Sequence, residues 1–127
     1  MKTPRVGTAR QGLGRRGEQL AARYLEARGY RIVARNYHCS LGEVDLVALD
    51  GDCLVFVEVR TRRGDDWGTP EESVSAVKQR KLVQVAEHYL AEHNVLDSDW
   101  RIDFVAVDLD VRGRLRRLEV VRDVMAP

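Results

Sequence analysis

The stretch from Gly42 to Arg62, GEVDLVALDGDCLVFVEVRTR, holds the side chains best placed to do chemistry. Two runs rich in Val and Leu flank Asp50-Gly51, a strong local signal for a β-hairpin. By strand alternation Glu43, Asp45, Val47 and Leu49 share one face, and Val44, Leu46 and Ala48 the other. In the second run Leu54, Phe56, Glu58 and Arg60 share a face. A two-residue turn at Asp50-Gly51 sets Asp45 opposite Phe56 and diagonal to Glu58. A four-residue loop sets Asp45 and Glu58 directly opposite, and a three-residue loop puts them on different faces. Under either even loop, two acids and one guanidinium meet on one patch, the arrangement of a divalent-cation site.

Other elements must position that patch. Leu13 to Arg28 reads as a helix, with Leu13, Leu20, Ala21, Tyr24 and Leu25 as its apolar stripe and Gly29 as its stop. Glu18 lies at the stripe's edge, either as a salt-bridged flank or as a residue pointing into the site. Arg15, Arg16 and Arg23 are placed to line a rim. Met1 to Gln11 is polar and basic, and is expected to be loose. Tyr30 to Tyr37 reads as a strand, followed by a polar loop in which His38 and Cys39 are taken as structural. Arg62 to Gly68 is a charged, glycine-containing loop.

Thr69-Pro70-Glu71-Glu72 has the signature of a helix start, and Ser75 offers a second cap. The helix then runs to about His93 and is expected to bury Val77, Leu82, Val85, Ala86, Tyr89 and Leu90. Lys78, Arg80 and Lys81 crowd its positive end, where free N–H groups and ammonium groups together suit a phosphate; plain solvation is the alternative. His88 and His93 are five apart, off the spacing of a helical metal pair. Trp100 to Asp108 alternates as a strand, and a last strand or short helix lies near Leu118 to Val124. The order is α-β-β-β-α-β plus a terminal element.

With 127 residues the chain is long enough for one α/β domain with a real core and too short for two. Its 44% hydrophobic and 32% charged residues are those of a globular protein, and no apolar run suits a membrane span. No signal segment is evident at the start. Cys39 and Cys53 form no CxxC pair, so neither zinc nor a disulfide framework is indicated, and a reducing cytoplasm is the expected setting. The net charge of +1 hides an asymmetry: residues 1–40 carry nine Lys or Arg against Glu18 and Glu26, a balance of +7, leaving −6 for the rest. That split suits a basic face for a polyanion and an acidic pocket elsewhere.

The helix start from Gly17 to Leu25, GEVDLV, VEVR and the Lys-containing helix, in that order, resemble the YraN-like family. These are small uncharacterised bacterial proteins similar to archaeal Holliday junction resolvases and to the restriction-endonuclease superfamily. The resemblance implies a restriction-endonuclease-like fold, a central mixed β-sheet flanked by helices. It implies that Asp45, Glu58 and Arg60 take the places of the superfamily's acid, acid and lysine, with Glu18 as the helix acid. Asp45, Glu58 and the Val59 carbonyl would then hold Mg²⁺ or Mn²⁺. Arg15, Arg16, Arg62, Lys78 and Lys81 are the residues expected to meet DNA, and a homodimer is an expectation from the resemblance alone. Two departures stand out. Val44 replaces the usual proline, and Arg60 replaces a lysine with a group that never gives up its proton. Three readings follow: a metal-dependent endonuclease for branched or irregular DNA, a non-catalytic nucleic-acid-binding or interaction module on the same fold, or acids that merely pair with Arg60, Arg62 or Arg101.

Overall fold

The computed structural model describes residues 9–64 and 75–124. Its elements are α1 (Ala9–Ala27), β1 (Arg31–Cys39), β2 (Gly42–Asp50), β3 (Cys53–Arg63), α2 (Ala76–Glu92), β4 (Trp100–Leu109) and β5 (Leu115–Val121). The strands form one mixed sheet in the order β1-β2-β3-β4-β5, with only β3 and β4 parallel. Parallel neighbours need a long crossover, which α2 provides. The chain is therefore α/β, with the element order of a restriction-endonuclease-like fold, and its terminal element is a strand.

Both helices end for the same physical reason. In α1, Gly29 takes φ +94°, and Tyr30 N and Gly29 N donate to Leu25 O and Glu26 O, each at 3.0 Å. In α2, Asn94 takes φ +56°, and Val95 N and Asn94 N donate to Leu90 O at 2.9 Å and Ala91 O at 3.2 Å. Each is a Schellman stop, using a residue that tolerates the left-handed region. α1 begins earlier than expected, at Ala9, and the first eight residues of the segment expected to be loose lie outside the described residues. α2 begins at the second of its two candidate caps: Ser75 Oγ accepts Lys78 N at 3.1 Å. The other candidate, Thr69–Glu72, lies outside the described residues, as do Trp67 and most of the loop before it.

The helices cover opposite faces of the sheet. Ala21, Ala22 and Leu25 of α1 pack on Leu46, Val55, Val57, Val105 and Val107. Leu82, Val85, Ala86, Tyr89 and Leu90 of α2 pack on Val47, Leu54, Phe56 and Ile102. Val77 was expected in that core but is 60% exposed. Five residues before Leu82, it points about 140° away around a helix that turns about 100° per residue. Tyr37 is half-buried, edge-on to Tyr89 and hydrogen-bonded to His88 Nδ1 at 2.9 Å.

The hairpin turn falls on Gly51-Asp52 rather than on Asp50-Gly51, because Asp50 pairs with Cys53 and Leu49 with Leu54. This is the register of the four-residue loop, and it carries Asp45 toward Glu58. Gly51, at φ +61°, supplies the turn's left-handed residue. One expectation about faces fails. Val44 and Val47 both pack beneath α2, although alternation puts residues three apart on opposite faces. The alternation breaks around Asp45.

The sheet opens at the same place. β2 stays paired with β1 as far as Gly42 with Cys39, and β3 stays with β4 as far as Arg63 with Leu109. Between β2 and β3 the pairing stops at Leu46 with Val57. Two strands that keep their outer partners and lose each other make a fork, and Asp45 and Glu58 are the first residues inside it.

Candidate functional site

A fork leaves backbone groups without a ladder partner, and such groups must be satisfied another way. Val59 N donates to Asp45 Oδ2 at 2.7 Å, so a carboxylate replaces the missing strand carbonyl. The Glu58 carboxyl lies close enough to Asp45 to act on its titration. Burial first, and Glu58 second, push the Asp45 carboxyl far above the usual range, to about 9, with Glu18 adding to the rise. Burial and a neighbouring carboxylate both favour the protonated form of Asp45. Glu58 is buried, 9% exposed, and its Oε2 accepts a charged contact from Lys78 Nζ at 3.1 Å.

These groups line one open cleft of about 870 Å³. Leu13, Gly14 and Glu18 enter it from α1, and Lys78, Lys81, Leu82 and Val85 from α2. Helices on opposite faces of a sheet can share a cleft only where the sheet is open, as it is at the fork. Partial burial, then Glu43 and Glu58, raise the Glu18 carboxyl, while Arg15 and Arg35 pull it down. The α1 helix reaches this position because it has no side chain at Gly17, where a Cβ would lie 1.7 Å from Thr61 Oγ1.

The cleft brings together Glu18, Asp45, Glu58, Val59, Arg60, Lys78 and Lys81 among the residues singled out from sequence. His38 and Cys39, taken as structural, also line it. Arg16 and Arg62 are held elsewhere. Arg16 Nε donates to Gly113 O at 2.8 Å, and Arg62 pairs with Asp108 at 3.3 Å, alongside Arg116 at 3.1 Å.

A family model described as "Uncharacterised protein family UPF0102" matches residues 17–107. The chain belongs to the UPF0102 family. It is similar to the UPF0102 protein of Pelotomaculum thermopropionicum, 51% identical over 90% of this chain and 95% of that one. The UPF0102 protein of Symbiobacterium thermophilum is 52% identical over 82% and 88% of the two chains. That of an Arthrobacter species is 47% identical over 91% and 98%. The family match takes in Glu18, Asp45, Glu58, Arg60, Lys78 and Lys81, whereas Arg15 and Arg16 precede it. No helix among the described residues of this UPF0102 chain is long and apolar enough to cross a membrane.

The role of Lys78 was the point that sequence reasoning missed. The helix end suggests a phosphate seat or plain solvation, and neither points to the contact its ammonium makes with an acid of the fork. A signal was present: Lys78 lies four residues before Leu82 and seven before Val85, continuing the buried stripe of α2. A cation on a core stripe needs an acid, and Glu58 is that acid.

Proposed function

We propose that the cleft binds one divalent cation, Mg²⁺ or Mn²⁺, and that the protein hydrolyses phosphodiester bonds in DNA, at branched or irregular structures. The observation that carries this reading is the Asp45–Glu58 pair at the fork, in an open cleft that also holds Arg60, Lys78 and Lys81. The donor set fits the ion. Among the described residues no three His, Cys, Asp or Glu side chains converge as a ready-made metal cluster. Mg²⁺ is commonly held by one or two carboxylates, with waters and substrate oxygens completing the shell. The ammonium against Glu58 and the raised Asp45 carboxyl support a site that attracts positive charge.

Asp45 and Glu58 would hold the ion, with the Val59 carbonyl as a further oxygen ligand. When bound, such an ion polarises phosphoryl oxygens and makes a nearby water more acidic. The chain's own groups do the rest. Val59 N fixes the orientation of Asp45. Glu18 holds the attacking water, and Arg60 and Lys81 take the charge that develops on the phosphoryl oxygens. Arg60 braces and does not act as a base, since a guanidinium keeps its proton. That same residue favours a second reading, a module that binds nucleic acid on this fold without cutting it.

The test is calorimetric titration of Mn²⁺ and Mg²⁺ into the wild type and an Asp45→Asn/Glu58→Gln double variant, each repeated with a short DNA duplex. One site in the wild type, lost in the variant, supports the metal centre. Cleavage of labelled four-way, flapped or single-stranded DNA that requires the ion supports the nuclease. Binding without cleavage selects the second reading. No metal binding under either condition overturns the metal centre.

A further inference from the structure

Lys78 presents a conflict that the metal reading must resolve. Its ammonium is 3.1 Å from Glu58 Oε2, with the two side chains 29% and 12% exposed. A divalent cation and an ammonium cannot both sit against that carboxylate without repelling each other. The backbone of Lys78 is fixed, because its N–H is bonded to Ser75 Oγ at 3.1 Å. Its four-carbon stem is not, so the charged head is the part that can move.

Where that head goes is set by its surroundings. Lys78 is the third residue of α2, whose N-terminal end carries a positive partial charge and repels it. Lys81, one turn on, lines the same cleft and adds to the repulsion. An ammonium displaced from Glu58 therefore needs an anion, and the open side of the cleft is where an incoming phosphodiester would lie. We propose that Lys78 couples the cleft's two ligands: its ammonium leaves Glu58 when a divalent cation binds and turns to a phosphodiester, so that cation and phosphate bind cooperatively. This rests on the metal centre proposed above and gives Lys78, expected to meet DNA, a role toward the cation as well.

The coupling is reciprocal. A phosphate that draws Lys78 off Glu58 strengthens cation binding by the same factor as the cation strengthens phosphate binding. Lys78 is thus a positioning residue whose effect is read in affinity rather than in turnover.

The experiment titrates Mn²⁺ into wild type, Lys78→Met and Lys78→Arg, each alone and with a hydrolysis-resistant phosphorothioate duplex, against a duplex-only blank. Lys78→Met without DNA should bind Mn²⁺ about tenfold more tightly than wild type, the change that about 1.4 kcal/mol makes. Added duplex should tighten Mn²⁺ binding in wild type and in Lys78→Arg, and do so clearly less in Lys78→Met, where only direct contact of phosphate oxygens with the ion remains. Lys78→Gln provides the same comparison if the Met variant does not give the wild-type circular dichroism spectrum. Mn²⁺ binding by Lys78→Met no tighter than wild type, or an equal gain from the duplex, overturns the coupling and leaves the metal centre standing. Failure of every protein to bind Mn²⁺, with duplex or without, overturns the metal centre and the coupling with it.

Discussion

Gly17 and Thr61 approach so closely that a Cβ on the glycine would lie 1.7 Å from Thr61 Oγ1 and 2.8 Å from Thr61 Cβ. That gap of one side chain sets how near α1 lies to β3, and hence that Glu18, the next residue, borders the cleft. Gly17→Ala should therefore destabilise the protein by about 1–3 kcal/mol, the usual range for overpacking. Thr61→Ala should rescue it only in part, since the Thr61 Cβ contact remains. Urea unfolding of the single and double variants checks this, and a Gly17→Ala protein as stable as wild type would refute the close approach. Thr61→Val alone should be nearly neutral, because Thr61 Oγ1 is buried with no hydrogen-bond partner among the described residues.

Asp45 makes stability depend on pH. Its carboxyl is raised from 3.8 to about 9, so between those values the folded protein keeps a proton that the unfolded chain has released. Stability contributed by that proton is full below about pH 4 and is lost as the pH rises toward 9. One proton gives at most about 1.4 kcal/mol per pH unit. In chelator-treated buffer, Asp45→Asn should flatten the fall in unfolding free energy between pH 5 and 9 measured for wild type. Parallel pH curves for the two proteins would remove Asp45 as the cause.

Arg101 closes the sheet's other end. It donates to Asp103 Oδ1 at 3.0 Å, to Asp50 Oδ2 at 3.0 Å and to the Tyr30 hydroxyl at 2.8 Å. Asp103 is fully buried, and Asp123 N is the other donor to the same oxygen, at 2.9 Å. Arg101→Met leaves a buried carboxylate without its cation, a loss of about 3–5 kcal/mol. Adding Asp103→Leu to Arg101→Met should recover much of it. Chemical denaturation of both variants is the measurement, and a single variant costing under about 1 kcal/mol would show that the pair is not needed.

Two cations singled out for DNA should now behave differently. Lys81 lines the cleft, whereas Arg62 shares Asp108 with Arg116 on the far stretch of the sheet. Burial pushes the Asp108 carboxyl up, but the two guanidinium groups outweigh it and hold it below its ordinary value. Lys81→Ala should lower the slope of log affinity for duplex DNA against log salt by about 1, as loss of one phosphate contact does. Arg62→Ala should leave that slope unchanged. Fluorescence anisotropy at several salt concentrations compares them, and an equal change for both would place Arg62 at the interface as well.

Much of the architecture was written in short-range pattern. The apolar stripes of the helices, the glycine after α1, the serine before α2 and the alternation of β4 depend on residues a few positions apart, so element order, and the type of every element but the last, could be read directly. The acids Glu18, Asp45 and Glu58 were legible too, because motifs are local. What the chain's linear order could not decide was which strand keeps which neighbour. The hairpin register depends on cross-strand packing as well as on the turn, and it settled on Gly51-Asp52 with Asp45 brought toward Glu58. The parting of β2 from β3 depends on β1 and β4 holding their partners, a competition among four strands. Only that opening lets α1 and α2, on opposite faces, reach one cleft, and only there does Lys78 meet Glu58. Periodicity is a property of near neighbours; a fork in a sheet is a property of the whole.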